Sequence, residues 1–223
     1  MKKINYCVHN WLAYKINNQS VEDNLSNING RVIDLGCGPA PYKEDILHVA
    51  EEYIGVDWES SYHDTSSVDI FANLVEKLPF DNAFADTVVS NQTMEHLPEP
   101  ALFLSECYRI LKPGGGLLIT VPFMWHIHEE PYDYYRFTRH GLQYLLAKNG
   151  FEQIDIRANS GFWQMLVLKF NYHTVRFAKG PLRLLWVPIW WLGQIVAPFL
   201  DRIDKHPGET TSYTVTARKR RCI

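Results

Sequence analysis

Imidazole, carboxylate and guanidinium groups are concentrated in residues 122–137. A histidine is the usual general base when a hydroxyl must lose its proton, and a nearby carboxylate can orient its ring. We therefore predict that His128 is a catalytic base and that Asp133 or Glu129 orients it. Arg136 is expected to fix the loop or to bind an anionic part of the substrate. The alternative for these residues is structural: a packed ring, a turn cap and an ion-pair partner.

The same segment contains part of a metal-ligand set, His126, His128 and Glu129. A metal site needs further ligands at a recognisable spacing, and the segment has none, so we expect no metal. His126 is expected to be structural or exposed. The four cysteines lie far apart without a CxxC pair, which favours a reducing compartment and no disulfide framework.

A second group of candidate residues follows two predicted strands. Gly36 and Gly38 allow a tight turn and a close approach to a ligand, and Asp57 can accept hydrogen bonds from both hydroxyls of a ribose. This pairing fits a dinucleotide or another adenosyl ligand. Pro41 stands where a dinucleotide fingerprint has glycine or alanine, and Pro39 and Pro41 each remove a backbone donor for a diphosphate. A ligand without a diphosphate is therefore favoured.

Alternating strands and helices must position these groups. We predict strands at 31–36, 52–57, 68–71, 85–90, 117–121, 151–157 and 212–217, helices at 39–50, 99–111 and 138–149, and a forced turn at 112–116. This order predicts βαβ units and a parallel sheet with helices on both faces. Ligands bind beyond the carboxyl ends of such strands, so the loops at 36–43, 57–64, 91–97 and 122–137 should share one cleft.

Four segments, taken together, resemble the class I S-adenosylmethionine-dependent methyltransferases over about residues 30–157. They read VIDLGCGPAPY, YIGVDWES, EKLPFDNAFADTVVSNQTMEHLPEP and RILKPGGGLLITVP. The resemblance implies an enzyme with S-adenosylmethionine as its cofactor. It also implies a Rossmann-like three-layer α/β sandwich whose seven-stranded sheet is mostly parallel, with an antiparallel last strand at about 212–218 beside the fifth.

The resemblance also assigns cofactor-binding residues. They are Asp34, Gly36, Gly38, Asp57, Trp58, Asn73, Leu74 and Asn91. The first three are expected along the methionine and ribose, Asp57 at the ribose hydroxyls and Trp58 near the adenine. Asn73 and Leu74 are expected at the adenine edge, and Asn91 is expected under the sulfonium. Ala40 replaces a glycine and Asn73 an aspartate found in many members, so we expect weaker binding, not its loss.

The loop that contains His128 resembles the HExPxDYYRFT loop of a type 11-like methyltransferase subgroup associated with glycan biosynthesis. This implies O-methylation of a sugar hydroxyl in a glycan or lipid-linked glycan. The apolar segment described next would equally suit a small lipid or quinone-like acceptor. A third hypothesis is a non-catalytic cofactor-binding or membrane-assembly module.

A long segment, residues 161–200, separates the sixth predicted strand from the last. It contains four basic residues, no acidic residue and four of the seven tryptophans. Prolines and a glycine interrupt its apolar run, which is short for a spanning helix. We predict a helical insertion at about 160–204 that lies in a membrane surface, helped by the basic end 218–221. A lid or a homodimer interface is the alternative.

Length and composition set the remaining expectations. The 223 residues have 46% hydrophobic residues and a net charge of -3, which fits one globular domain and gives no electrostatic case for nucleic acid. We expect a single domain over 1–223 with an N-terminal helix at 6–20. The N-terminus has no uninterrupted apolar run, so we read no secretory signal and expect a cytoplasmic protein, peripheral on the inner face of the membrane.

Overall fold

Seven strands form one sheet in the order β3-β2-β1-β4-β5-β7-β6 in the computed structural model, which describes residues 5–61, 63–206 and 208–221. The strands are β1 (Arg31–Leu35), β2 (Glu52–Asp57), β3 (Ile70–Phe71), β4 (Ala85–Asn91), β5 (Leu111–Pro122), β6 (Phe151–Ala158) and β7 (Ser212–Lys219). Strands β1 to β5 pair in parallel, and β7 runs antiparallel to β5 and β6. The predicted fold class is confirmed, including the antiparallel last strand beside the fifth.

Six α-helices accompany the sheet in the described residues. They are α1 (Trp11–Glu22), α2 (Lys43–Leu47), α3 (Pro100–Ile110), α4 (Arg139–Lys148), α5 (Phe162–Thr174) and α6 (Arg183–Ile203). Helix α4 begins where the sequence predicts, because the Thr138 hydroxyl accepts a hydrogen bond of 3.0 Å from the amide of Gly141.

The core lies on both faces of the central strands. Ile33, Val88, Val89 and Ile119 are almost completely buried. Strands that are covered on both faces need continuous apolar runs, which is why these strands were readable from the sequence. Cys37 and Cys107 are buried free thiols and Cys7 is an exposed one, whereas Cys222 lies outside the described residues.

Two predicted elements are different in the structure. Helix α2 has five residues instead of the twelve predicted at 39–50, because Ala40 has a φ of +46° and delays the helix. The predicted turn at 112–116 is a bulge within β5. On β4, Ala85 pairs with Leu111 and Thr87 pairs with Gly116. Residues 112–115 of β5 therefore bulge out of the register with β4.

The insertion contains α5 and α6, and α6 continues through Pro188 and Pro198. Prolines inside a helix cost about 3 kcal/mol each, and the buried face of α6, which includes Trp190, offsets this cost. By length and composition, one helix in the described residues, Gly180–Ile203, could cross a membrane.

A buried glutamine ties this insertion to the N-terminal segment. The Gln194 side chain accepts a hydrogen bond from the Leu12 amide at 3.1 Å and donates to the carbonyls of Tyr6 and Val8, both at 3.2 Å. Helix α1 therefore packs on the insertion. Its first residue is Trp11, later than the predicted start at residue 6.

Candidate active site

The carboxyl ends of β1, β2, β4 and β5 open into one cavity of about 540 Å³. The four predicted loops all contribute to its wall, which confirms the predicted shared cleft for their described residues. All eight predicted cofactor residues line the cavity: Asp34, Gly36, Gly38, Asp57, Trp58, Asn73, Leu74 and Asn91.

The loop after β1 requires glycine at its first position. Gly36 has a φ of +78°, and a Cβ there would lie 2.3 Å from the Thr93 side chain. The amides of Gly36 and Cys37 donate to the carbonyl of Val56 at 2.8 and 3.1 Å. These bonds turn the loop over the end of β2 and leave its backbone facing the cavity.

Asp57 is held at the end of β2 by two backbone amides. One carboxylate oxygen accepts from Gly38 at 2.5 Å and the other from Trp58 at 2.6 Å. A carboxylate has about four acceptor sites, so both oxygens keep capacity for further hydrogen bonds. The side chain thus lies in the cavity wall in a fixed orientation, as recognition of ribose hydroxyls requires.

Asp34 is a buried carboxyl with one unsatisfied oxygen. Tyr53 donates a hydrogen bond of 2.7 Å to Oδ2, and Oδ1 has no partner among the described residues. Burial, opposed by the hydrogen bond from Tyr53 and assisted by the charge of Asp57, raises the pKa of Asp34 to about 7. A cationic ligand at this wall would favour the ionised form.

The two asparagines of the cofactor set have different surroundings. Asn73 Nδ2 donates to Glu76 at 2.8 Å, and Oδ1 accepts from the Val75 amide at 3.2 Å, so its side chain holds its own loop. Asn91 Nδ2 is buried without a partner in the described residues, and its Oδ1 accepts from Thr120 at 3.3 Å. Asn91 therefore has an unused donor at the cavity wall.

The three predicted catalytic residues are in mutual contact, but only His128 lines the cavity. Asp133 lies behind it. Its Oδ2 accepts from the His128 amide at 2.9 Å and lies 3.4 Å from His128 Nδ1. Arg136 binds the Asp133 carboxylate through two nitrogens at 2.6 and 2.7 Å, and this bond lowers the pKa of Asp133 to about 2.

Arg136 also holds the loop backbone. It donates to the carbonyl oxygens of His126 at 2.6 Å and Tyr135 at 2.7 Å. Of the two predicted roles for Arg136, the geometry matches loop fixation. Glu129 is the alternative candidate for orienting the His128 ring. Its Oε1 atom instead lies 3.3 Å from His63 Nε2. Asp133 is the carboxylate beside His128.

Burial lowers the pKa of His128, and the nearby imidazole of His96 lowers it further, while Asp133 opposes both. The ring is therefore neutral near pH 7 and can accept a proton. His126 is exposed, with its ring 6.2 Å from that of His128. Its exposure agrees with the sequence-based expectation.

Comparisons with known proteins identify the domain. Residues 33–119 match the family described as "Methyltransferase domain". A probable S-adenosylmethionine-dependent methyltransferase of Mycolicibacterium smegmatis is 38% identical over 96 residues, which cover 41% of this chain and 37% of the relative. Over residues 33–119 this chain is therefore similar to the methyltransferase domain family. For these residues, the similarity agrees with the predicted methyltransferase class and with S-adenosylmethionine as the predicted cofactor.

Two further matches describe the methyltransferase domain more broadly. A ubiquinone biosynthesis O-methyltransferase of Maricaulis maris is 33% identical over 98 residues, 40% of this chain and 39% of the relative. A solved S-adenosylmethionine-dependent methyltransferase of Archaeoglobus fulgidus has a TM-score of 0.58 at 16% identity, covers 93% of this chain and 94% of its own, and shows the shared fold. The chain spans about two fifths of the length of the curated relatives it matches.

The residues of the methyltransferase domain fit this cofactor. S-adenosylmethionine carries a sulfonium and an ammonium, and the unsatisfied oxygen of Asp34 at the cavity wall suits a cation. A carboxylate in a fixed orientation suits its ribose hydroxyls, and two backbone amides hold Asp57 in this way. The loop at Gly36 has no space for a side chain, because a Cβ there would meet Thr93, which also lines the cavity.

Sequence reasoning missed several cavity residues of the methyltransferase domain. Tyr14 and Asn17 come from α1, which closes one wall. No sequence signal links a helix that precedes the glycine loop to that cavity. His63, His96 and Tyr134 also line it. His96 could have been considered, because it stands in the segment whose spacing carried the family resemblance.

Proposed function

We propose that this protein transfers a methyl group from S-adenosylmethionine to the oxygen of a sugar hydroxyl in a glycan or lipid-linked glycan. The observation that carries the proposal is the position of His128. Its neutral imidazole lies in the same cavity wall as the cofactor residues and is held from behind by Asp133. An alcohol must lose its proton as it is methylated, and a neutral imidazole in this place can accept it.

The chain has three tasks in this reaction. When bound, S-adenosylmethionine supplies an electrophilic methyl group that is displaced in line from its sulfur. Asp57 and the loop at Gly36 hold the donor, so that its methyl group and the acceptor oxygen can meet at about 3–3.5 Å. His128 takes the hydroxyl proton on Nε2 while Nδ1 faces Asp133. Arg136 keeps Asp133 ionised, which favours a protonated His128 during transfer.

Aromatic side chains at the cavity support a sugar acceptor. Trp58, Tyr132 and Tyr134 all line it, and each is more than one third exposed. The Trp58 and Tyr132 rings meet edge to face with centroids 5.3 Å apart. Aromatic faces pack against the C–H face of a sugar ring and leave its hydroxyls free for polar partners. A quinone-like ring is the second candidate, and the similarity to a ubiquinone biosynthesis O-methyltransferase favours it.

A labelled-methyl transfer assay against cell glycan and lipid extracts tests the acceptor, with mass analysis of the product. We expect label in a glycan fraction, and label in the quinone or lipid fraction alone would select the second candidate. His128→Ala should reduce turnover by orders of magnitude with nearly unchanged S-adenosylmethionine affinity. His126→Ala, in the same loop but exposed, is the matched control. Absence of cofactor binding in calorimetry would instead favour a non-catalytic module.

We also propose that the insertion rests on an anionic membrane. The outer face of α6 exposes a row of large apolar side chains: Leu185, Leu192, Phe199 and Ile203, exposed by 64%, 57%, 59% and 69%. Their seven- and four-residue spacing places them on one side of the helix. An apolar face this large on a protein surface indicates a partner.

The charges around this face favour lipid over a second copy of the chain. Lys169, Arg176, Lys179 and Arg183 are all exposed, and residues 161–200 contain no acidic residue. A symmetric dimer would bring the same cations against each other, whereas anionic headgroups would neutralise them. Gln194 ties the opposite side of α6 to the N-terminal segment, which favours a helix that lies on the surface over one that spans it.

Vesicle flotation tests this surface. Wild type should float with phosphatidylglycerol-containing vesicles and less with phosphatidylcholine alone. The double variant Leu192→Glu/Phe199→Glu should remain in the soluble fraction. Leu102→Glu, at a residue of α3 that is 51% exposed, is the matched control and should float normally. A soluble wild type with the mass of a dimer in light scattering would refute the membrane and support the dimer interface. Lack of flotation by a monomeric wild type would refute it as well.

A further inference from the structure

Three potential metal ligands meet beside the cavity from two separate loops. Glu95 and His96 lie in the short turn Met94–His96 after β4, and His128 lies in the loop after β5. One ligand atom from each lies within 4.8 Å of the other two. Residues 122–137 contain no third ligand at a recognisable spacing, and the fold supplies Glu95 and His96 from about thirty residues earlier.

Hydrogen bonds fix the tautomer of His96. Its Nδ1 lies 2.8 Å from the carbonyl oxygen of Tyr132, which can only accept. The proton is therefore on Nδ1, and Nε2 presents a lone pair. The Nε2 atom lies 3.8 Å from the nearer carboxylate oxygen of Glu95 and 3.8 Å from one oxygen of Glu129.

The His128 ring is held in the same way. Its Nδ1 lies 3.3 Å from the carbonyl oxygen of His126 and 3.4 Å from Asp133 Oδ2. Arg136 Nη2 also lies 3.3 Å away, but its two hydrogens already go to the His126 carbonyl at 2.6 Å and to Asp133 at 2.7 Å. The proton is thus on Nδ1 and Nε2 is free. A carboxylate or carbonyl behind each ring is the usual outer shell of a metal-binding histidine.

Glu95 is the second, independent observation that points to a cation. Its side chain is completely buried, and neither carboxylate oxygen has a hydrogen-bond partner among the described residues. Buried polar groups are nearly always paired. Burial, assisted by the charges of Asp133 and Glu129, raises the pKa of Glu95 to about 8, although the backbone N–H of Glu95 and the charge of Arg136 lower it. A bound cation would supply the missing partner.

We infer that Glu95, His96 and His128 bind a divalent transition metal ion at the acceptor side of the cavity. One carboxylate and two imidazoles, with an open position for water or substrate, form a ligand set typical of zinc enzymes, and they also suit Mn²⁺ or Co²⁺. Zinc–nitrogen bonds are about 2.0–2.1 Å long, so small side-chain rotations must bring the three donor atoms closer. His96 and His128 line the cavity, which directs the open position toward the acceptor.

This inference rests on the proposed methyl transfer to a hydroxyl, and it replaces the step in which His128 takes the hydroxyl proton on Nε2. A hydroxyl bound to the cation loses its proton more readily, and Glu129, beside His96, can take that proton and pass it to solvent. The new carbon–oxygen bond forms as the methyl–sulfur bond breaks. His128 then acts as a ligand of the metal, and its Nε2 no longer takes the proton directly.

Direct metal binding tests the site without any activity. Full-length protein is treated with a chelator, dialysed and titrated with Zn²⁺, Mn²⁺ or Co²⁺ alone, with metal content measured by mass spectrometry and Co²⁺ followed by its visible absorption. We expect one ion per chain for wild type. Glu95→Gln and His96→Gln should weaken binding at least about tenfold. His126→Gln, at the exposed histidine of the same loop, is the matched control and should bind like wild type.

Two results would overturn the metal site: no ion bound by the wild type, or equal binding by wild type and both variants that lack a ligand. Because His96 is only partly buried, His96→Gln keeps the test valid if Glu95→Gln misfolds, which melting curves will reveal. Methyl transfer without any metal would refute the role of the ion in catalysis and leave the proposed function standing. Metal binding without methyl transfer to any acceptor would refute the proposed function instead.

Discussion

Asp34 leads to a prediction about cofactor affinity and pH. The carboxyl is 2% exposed, Tyr53 bonds one oxygen, and the other oxygen has no partner among the described residues. Its pKa without ligand is about 7. A cationic ligand binds the ionised form better, so binding is linked to loss of the Asp34 proton. Affinity for S-adenosylmethionine should therefore rise as the pH rises through 7.

The size of the effect follows from the ionised fraction. With a pKa of about 7, about one Asp34 carboxyl in eleven is ionised at pH 6 and about ten in eleven at pH 8. If only the ionised form binds, the apparent Kd falls about tenfold over this range, which corresponds to about 1.4 kcal/mol.

Calorimetry at pH 6, 7 and 8 with wild type and Asp34→Asn measures this effect. Asparagine can still accept the hydrogen bond from Tyr53, and it does not ionise. Groups of the ligand itself titrate equally in both proteins, so the difference between them belongs to Asp34. Equal pH dependence of Kd in the two proteins would refute the reasoning.

Three stability predictions follow, each checked by chemical denaturation against wild type. Gly36→Ala should lose about 2–4 kcal/mol, because φ is +78° and the new Cβ meets Thr93 at 2.3 Å; an unchanged midpoint would contradict the steric argument. Gln194→Leu should lose about 1–3 kcal/mol, since the buried partners of the amide become unpaired; no loss would mean that water replaces it. Asp201→Ala should lose about 1–2 kcal/mol, because Asp201 accepts three backbone amides at the start of α5; stability equal to wild type would exclude this capping role.

The sheet could be predicted because its strands are buried on both faces. The run ending at Val121 contains almost only apolar residues, the run ending at Leu35 contains three, and few other structures accept such runs. The eight cofactor residues could be placed because they follow strand ends in a parallel sheet, where neighbouring ends meet. Their roles in binding remain predictions.

Other features depend on contacts between distant parts of the chain. Glu95 reads in the sequence as an ordinary acidic residue, and only the fold buries it next to His128. The continuity of α6 was not predictable from its two prolines, since packing of Trp190 and its neighbours decides it. Likewise, the pattern of α1 gives no sign that Tyr14 faces the cavity.

The bonds of Gln194 have a mechanical consequence. Helix α1 closes one wall of the cavity, and the start of that helix is hydrogen-bonded to α6 through the Gln194 side chain. A displacement of α6 is therefore expected to move α1, which forms that wall of the cavity. We therefore expect contact of the insertion with another surface to change the rate at which donor and product exchange. Replacing Gln194 should weaken this effect.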